Sequence, residues 1–329
     1  MTKPDSRLGQ PAPWDMRQAF ADLIAQHGGY CNYHAHFDKA YLISPDNLKL
    51  SMVDMQRKWA LYKQLKENYT HQDLVERISR GVEMMIAQGA HYCRTMVDAD
   101  STVKTMPMRA ALEVKQKYAG RIHFEIGVHP LQGVLDPESR KSVEEACEMG
   151  DVVGGLPSKD RPTPEKHLDV IMGIARKLGK RLDVHVDQEN NPLECETELL
   201  AQKTIEHGLE GRVSAIHAVS LAAKAPAEQD RIIKLMHQAG VSVIVCPSAA
   251  LSMKQLDQVA PLHNSIAPVP RLLDAGIQVY LGVDNVYDLF MPLVDGDLWF
   301  ECRVLMEACR FYDLERVAKL ACDRSGIAS

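Results

Sequence analysis

Eight short β-rich runs alternating with eight helical stretches, glycine where helices give way to strands, and histidines gathered at strand ends predict an α/β fold, a (β/α)8 TIM barrel. The β-rich runs are residues 30–37, 92–98, 121–128, 152–156, 181–187, 212–217, 241–246 and 278–284. Helical patterns fill 52–66, 72–88, 108–118, 139–149, 164–178, 195–207, 227–239 and 269–275, with two more at 299–307 and 314–321. Several helices close on Gly89, Gly120, Gly150, Gly179, Gly211, Gly240 or Gly276, the signal of a helix end turning toward a strand. Parallel strands joined by helices require right-handed crossovers. Eight such units suit a chain of 329 residues as a barrel, and a doubly wound sheet fits the alternation nearly as well. The histidines decide for the barrel.

Hydrophobic residues make up 46% and charged residues 25%, the balance of a soluble globular chain rather than a disordered, collagen-like or coiled-coil one. Lys and Arg number 38 against 44 Asp and Glu, a net charge of −6, so the cationic surplus that binds nucleic acid is missing. No apolar run reaches the ~18 residues of a membrane span. Residues 1–15 are polar and carry Pro4, Pro11 and Pro13, unlike a secretory signal. The eight cysteines form no CxxC pair and read as reduced thiols of a cytoplasmic protein, which leaves any metal to histidines and carboxylates. The expected organisation is an N-terminal extension, 1–28, followed by the barrel, 29–329.

In a barrel, chemistry gathers at the C-terminal ends of the strands. Strand one ends in Tyr33-His34-Ala35-His36-Phe37-Asp38-Lys39, and residues two apart share a face, so His34 and His36 point together into the mouth. Strand five ends in His185-Val186-Asp187-Gln188-Glu189, strand six in His217, and strand eight in Asp284-Asn285. Any one histidine of this kind is most often structural. Polar residues at four strand ends can instead converge on one divalent cation, with a position open for water. The joint pattern outweighs the separate structural readings. His129, ending strand three, weighs evenly between site and packing, and Gln132, just after it, between reaching a substrate and a solvated loop role. Asp98 and Asp100 reach the mouth or cap the next helix. His27, His71, His207, His237 and His263 fall in helices or loops and read as surface residues, and His123 reads as packing.

The HxHxDK stretch (His34, His36, Asp38, Lys39), Gly154-Gly155-Leu156-Pro157, His185, His217 and Val283-Asp284-Asn285 together resemble the amidohydrolase superfamily, in its cytosine deaminase-like branch. Residues 201–206, 211–213, 272–277 and 291–297 are similar to that branch's s-triazine-degrading members. The resemblance runs from about Gly29 onward. It implies one divalent ion, Zn²⁺ or Fe²⁺, bound by His34, His36, His185 and Asp284. It further implies that His217 activates the water or orients the leaving group, and that Asp284 takes the water's proton and passes it on. Such a cation lowers the pKa of its water toward ~7. Lys39, within the motif, is placed to donate to a carbonyl or leaving group. Gln132, Gln188 and Asn285 are the substrate-binding candidates. Binuclear relatives carry a bridging lysine at the end of strand four; here that strand ends Gly-Gly-Leu-Pro and the nearest lysine is Lys159, which disfavours a second metal.

Three departures shape the expectation. Gln188 stands where cytosine deaminases carry a proton-transferring Glu. Asp187, on the His185 face of the strand, either replaces that acid or hydrogen-bonds a neighbouring ligand, and Glu189 is a second candidate. Only about 28 residues precede strand one, so the small β-sandwich of the relatives is expected to be absent or a remnant, or the chain to be shortened; surface exposed in this way favours a homo-oligomer. The insert at 46–88 carries Met52, Met55, Trp59, Tyr62, Met84 and Met85, which cover the mouth or, with more weight, simply pack. The expected reaction is hydrolytic removal of ammonia or an amine from a small pyrimidine- or s-triazine-type heterocycle. A cyclic or linear amide hydrolase on the same site is one alternative, and a barrel without turnover serving as a binding protein is the other.

Overall fold

Every β-rich run forms a strand, and consecutive strands pair in parallel around one eight-stranded sheet. The strands are β1 (Cys31–Asn32), β2 (Tyr92–Asp98), β3 (His123–His129), β4 (Val152–Gly155), β5 (Arg181–Val186), β6 (Val213–His217), β7 (Ser242–Val245) and β8 (Val279–Leu281). Closure comes from a parallel bridge between Ala35 and Asp284, with the Tyr33 N–H donating to the Leu281 carbonyl at 2.8 Å and Val283 to His34 at 3.0 Å. This is a (β/α)8 barrel. The computed structural model describes residues 14–53, 55–189, 191–253 and 264–327; the polar start, His263 and the side chain of Met55 lie outside them.

β1 is regular over two residues rather than eight, yet the run beyond it stays bonded on both sides. Ala35 accepts the Met96 N–H at 2.7 Å while His36 donates to Asp284 at 3.3 Å, so the two histidines ride between β2 and β8. Apolar β-branched side chains such as Val97, Val128, Val184 and Val243 are buried, as both faces of a parallel sheet require.

The helices ring this sheet. α2 (Met55–Lys66) and α3 (His71–Ala87) follow β1, and α4 (Met106–Lys117), α5 (Pro137–Met149), α6 (Pro164–Leu178), α7 (Glu196–Glu206) and α8 (Pro226–Gln238) follow in turn. α10 (Val269–Asp274) precedes β8, and α11 (Leu298–Cys309) and α12 (Leu314–Cys322) close the chain. Asp136 shows why one of these starts where it does: its carboxylate accepts the Ser139 N–H at 2.8 Å, satisfying a free donor of the first turn of α5. Six of the seven expected helix-ending glycines have positive φ; Gly150 is the exception, and it is glycine for space, because a Cβ there would lie 2.7 Å from Met108.

Two helices escape the sequence patterns. α1 (Met16–Gln26) lies within the stretch expected to be an extension, and buries Phe20 and Ile24 against α12 and Trp299. α9 (Pro247–Ser252) is too short to show a period. Among the described residues no second sheet stands beside the barrel, and no helix is long and apolar enough to cross a membrane.

Toward its N-terminal end the barrel is filled by a buried cluster of paired polar side chains. Arg94, fully buried, donates to Glu125 and Asp183 at 2.7 Å each and to the Gly326 carbonyl at 2.9 Å. Tyr33 stacks on Tyr280 with ring centroids 4.2 Å apart, and its hydroxyl donates to the Asp323 carbonyl.

Candidate active site

At the other end of the barrel the strand-end histidines meet. His185 Nε2 lies 3.2 Å from His34 Nε2 and 3.2 Å from His36 Nε2. Asp284 Oδ1 lies 3.3 Å from His34 Nε2 and 3.4 Å from His36 Nε2. An ion with bonds of about 2.0–2.1 Å holds neighbouring donor atoms about 3.0–3.5 Å apart in four- or five-coordinate geometry, a range that covers this spacing, and the fifth position is then free for water. The chemistry of the set agrees. Burial and neighbouring positive groups push the His36 and His185 rings well below their ordinary pKa. Burial would raise the Asp284 carboxyl, but the His34 hydrogen bond and the flanking His217 and His34 rings hold it below its usual value. Neutral imidazoles and an ionised carboxylate are the protonation states a cation binds. These four residues fit one divalent metal ion.

Local backbone places them. Gly282 lets β8 approach β1: a Cβ there would sit 2.7 Å from the His34 Cβ. A non-glycine residue with left-handed φ ends β6 or stands just past β5 and β8, namely His217 (74°), Asp187 (51°) and Asp284 (65°). Strain of this kind persists where the surroundings over-determine it. His217 Nε2 reaches to 3.7 Å from Asp284 Oδ2, the other carboxylate oxygen, and burial pushes the His217 pKa down to about 4.

A cavity opens over these groups, lined on its polar side by His36, Lys39, His129, Gln188, His217 and Asn285. Trp59, Leu131, Met253, Phe290 and Met291 form its apolar wall. Gln188 and Asn285 therefore stand where the sequence reading put them, the Asn285 amide donating to Asp288. Gln132 does not line the cavity. The tight turn in which Gly133 donates to Pro130 at 2.8 Å sends Leu131 inward and leaves Gln132 half-buried outside.

Asp187 is a second correction. Its oxygens accept the backbone N–H groups of Glu196 at 2.8 Å and Thr197 at 3.2 Å, so it caps α7 and does not line the cavity. Period-two alternation ends with β5 at Val186, and the left-handed φ of Asp187 turns the side chain aside. Glu189 is equally committed, paired with Arg161 at 2.6 Å. Neither acid is placed to replace the missing glutamate.

Lys39 lines the cavity but is held in a fully buried ionic network. Its ammonium donates to Asp98 at 2.6 Å and to Asp38 at 3.3 Å; Lys66 from α2 donates to Asp98 at 3.1 Å and also to Asp100. His129 Nδ1 shares the same Asp98 oxygen at 2.8 Å, and its ring lies 4.7 Å from that of His36. Asp98 so serves the site, while Asp100 also caps the turn at Thr102 and Val103. Lys66 had no local signal, because its partners lie 32 and 34 residues on. Of the insert's large residues, Trp59 lines the cavity and Tyr62 stacks on Phe290 at 4.4 Å; Met85 is core and Met52 exposed. Lys159 packs its ammonium over Trp59 at 5.0 Å, away from the histidines.

A buried His/Asp cluster at the C-terminal ends of barrel strands defines a class, and the comparison with known proteins agrees. Residues 28–322 match the amidohydrolase family, and the chain belongs to it, an enzyme of the class that hydrolyses carbon–nitrogen bonds. The chain is similar to an uncharacterized protein of Haemophilus influenzae, 34% identical over 77% of this chain and 93% of the other. It is also similar to N-isopropylammelide isopropyl amidohydrolase of Pseudomonas sp. strain ADP, 30% identical over 82% of this chain and only 65% of that relative's length. Among solved structures, 5-methylcytosine deaminase from Klebsiella pneumoniae with 5-fluorocytosine superposes with a TM-score of 0.82 at 25% identity, covering 89% of this chain and 72% of the other.

Proposed function

We propose that this chain removes ammonia or an amine hydrolytically from a small nitrogen heterocycle of pyrimidine or s-triazine type. One zinc or iron ion, held by His34, His36, His185 and Asp284, is part of that reading. The observation that carries it is the meeting of three imidazole nitrogens and a carboxylate oxygen, 3.2–3.4 Å apart where measured, beside a heteroatom-lined cavity. An ion there supplies an acidified water as nucleophile. Asp284 Oδ2, beside His217, holds the proton released on attack, and His217 steadies the charge that develops on the ring. Lys39 holds its charge at the cavity wall, fixed there by Asp98. Gln188 and Asn285 bring amide groups that orient a heterocycle by its nitrogen and carbonyl edges. The flat apolar wall of Trp59 and Phe290 suits a planar ring. The eight cysteines are all free and mostly buried, which supports the reading of a reducing, cytoplasmic setting.

Elemental analysis together with ammonia or amine release across aminopyrimidines and aminotriazines tests this. About one zinc or iron per chain with release from a panel member is the expected result. Metal without release would turn the reading to amides, and a chain that takes up no metal on reconstitution would overturn it.

A further inference from the structure

The loops that lead into β2, β3, β4 and β5, at the end of the barrel away from the histidines, border a larger, open cavity of about 980 Å³. Four cations, Lys115, Arg121, Lys180 and Arg181, and two carboxylates, Glu125 and Asp151, line it. Both carboxylates are already matched: Asp151 pairs with Lys115 and Glu125 with Arg94, each at 2.7 Å. The Lys180 ammonium donates to the carbonyls of Cys147, Glu148 and Gly150 and has no carboxylate partner among the described residues. Arg121, exposed at the rim, lies over the Tyr118 ring at 5.3 Å. Arg181 forms no ion pair among the described residues, and its buried Nε has no hydrogen-bond partner.

Three positive charges, those of Arg121, Lys180 and Arg181, therefore stand here with no paired carboxylate among the described residues, in a chain whose net charge is −6. A buried guanidinium N–H without an acceptor is costly, and the oxygen that relieves it is best an anionic one. The guanidinium fork matches phosphate oxygens in pairs. The cavity far exceeds one phosphate and falls in the range of organic ligands.

We propose that this cavity binds a phosphate-bearing small molecule, its phosphate gripped by Arg181 and Arg121 in the field of Lys180. Chemistry in a barrel belongs to the opposite end, so the ligand is bound there and not turned over.

Isothermal titration calorimetry of the full chain with AMP, pyrophosphate and inorganic phosphate tests it, at low and at high salt. AMP is expected to saturate a single site, more weakly as salt rises. Arg181→Gln is expected to weaken binding about tenfold or more while leaving amine release unchanged. Saturation by pyrophosphate but not by AMP would uphold the site and identify its ligand as free phosphate chemistry. Arg121→Gln, on the exposed rim, repeats the test should Arg181→Gln not fold. Absence of saturable binding by all three anions, or equal binding by the wild type and the variants, would overturn the proposal.

Discussion

Two buried polar clusters, the Arg94 cluster toward the N-terminal end of the barrel and the histidine cluster at the other, use their polar groups in opposite ways. At the N-terminal end, Arg94 is buried among Glu125, Asp183, Tyr92 and the Gly326 carbonyl, and each of its three nitrogens donates to an acceptor. Around Arg94, charge meets charge within the protein. At the C-terminal end, His34, His36, His185 and Asp284 turn donor atoms toward one another, with four separations of 3.2–3.4 Å, and among the described residues the Nδ1 atoms of His34, His36 and His217 find no partner. A buried group satisfied from within holds a fold, and a buried set of like donors waits on something from outside. Burial alone does not separate structure from function; the pairing of donors with acceptors does.

Breaking each end should therefore give different failures. His185→Ala removes one nitrogen from the cation site, and the expected result is loss of bound metal and a fall in amine release by orders of magnitude, read by elemental analysis and product assay. Stability of the metal-free chain should hold or rise, since a crowded set of buried donors is relieved. Arg94→Ala strands Glu125 and Asp183 as uncompensated buried carboxylates, and should cost about 3–5 kcal/mol in urea unfolding. A variant of Arg94 that unfolds like the wild type would erase the contrast between the two ends.

A smaller effect sharpens it through pH. Glu301, buried in α11, hydrogen-bonds Ser248, and burial pushes its carboxyl up to about 8 from 4.5. The folded chain thus holds this proton more tightly than the unfolded chain, so stability falls as pH rises from about 4.5 to about 8. Glu301→Gln should flatten that fall in a pH series of melting curves. The smallest effect belongs to Asp187. As a helix cap its change to Ala should cost about 1 kcal/mol and leave the pH profile of turnover unmoved. A shifted acid limb in Asp187→Ala would return it to the chemistry.

Strand order and the histidine positions were legible because they rest on local periods: alternation of strand and helix, glycine at helix ends, and His34 and His36 two residues apart. What was not legible lies beyond those periods. Asp187 follows the face of His185 only while the strand lasts, and a left-handed φ one residue past Val186 swings it to α7. Leu131 faces in and Gln132 out because both sit at the centre of a turn that closes on Gly133, whose φ is 83°. Lys66 joins Asp98 and Asp100 through tertiary packing of α2, a relation no local pattern encodes. The helix α1 was hidden by a polar, proline-marked start, and shows its apolar face only where Phe20 and Ile24 meet the barrel.

Gly282 touches no part of the cavity, yet its missing side chain sets the distance between the strands that carry His34 and Asp284. In a mutational scan selected on turnover, position 282 should tolerate nothing larger than hydrogen, as if it were itself a ligand. The same scan selected on metal retention should rank it beside His34. An engineer who recoloured the cavity wall at Trp59 or Leu131 for a new ring would be free to do so, provided this one silent position were left untouched.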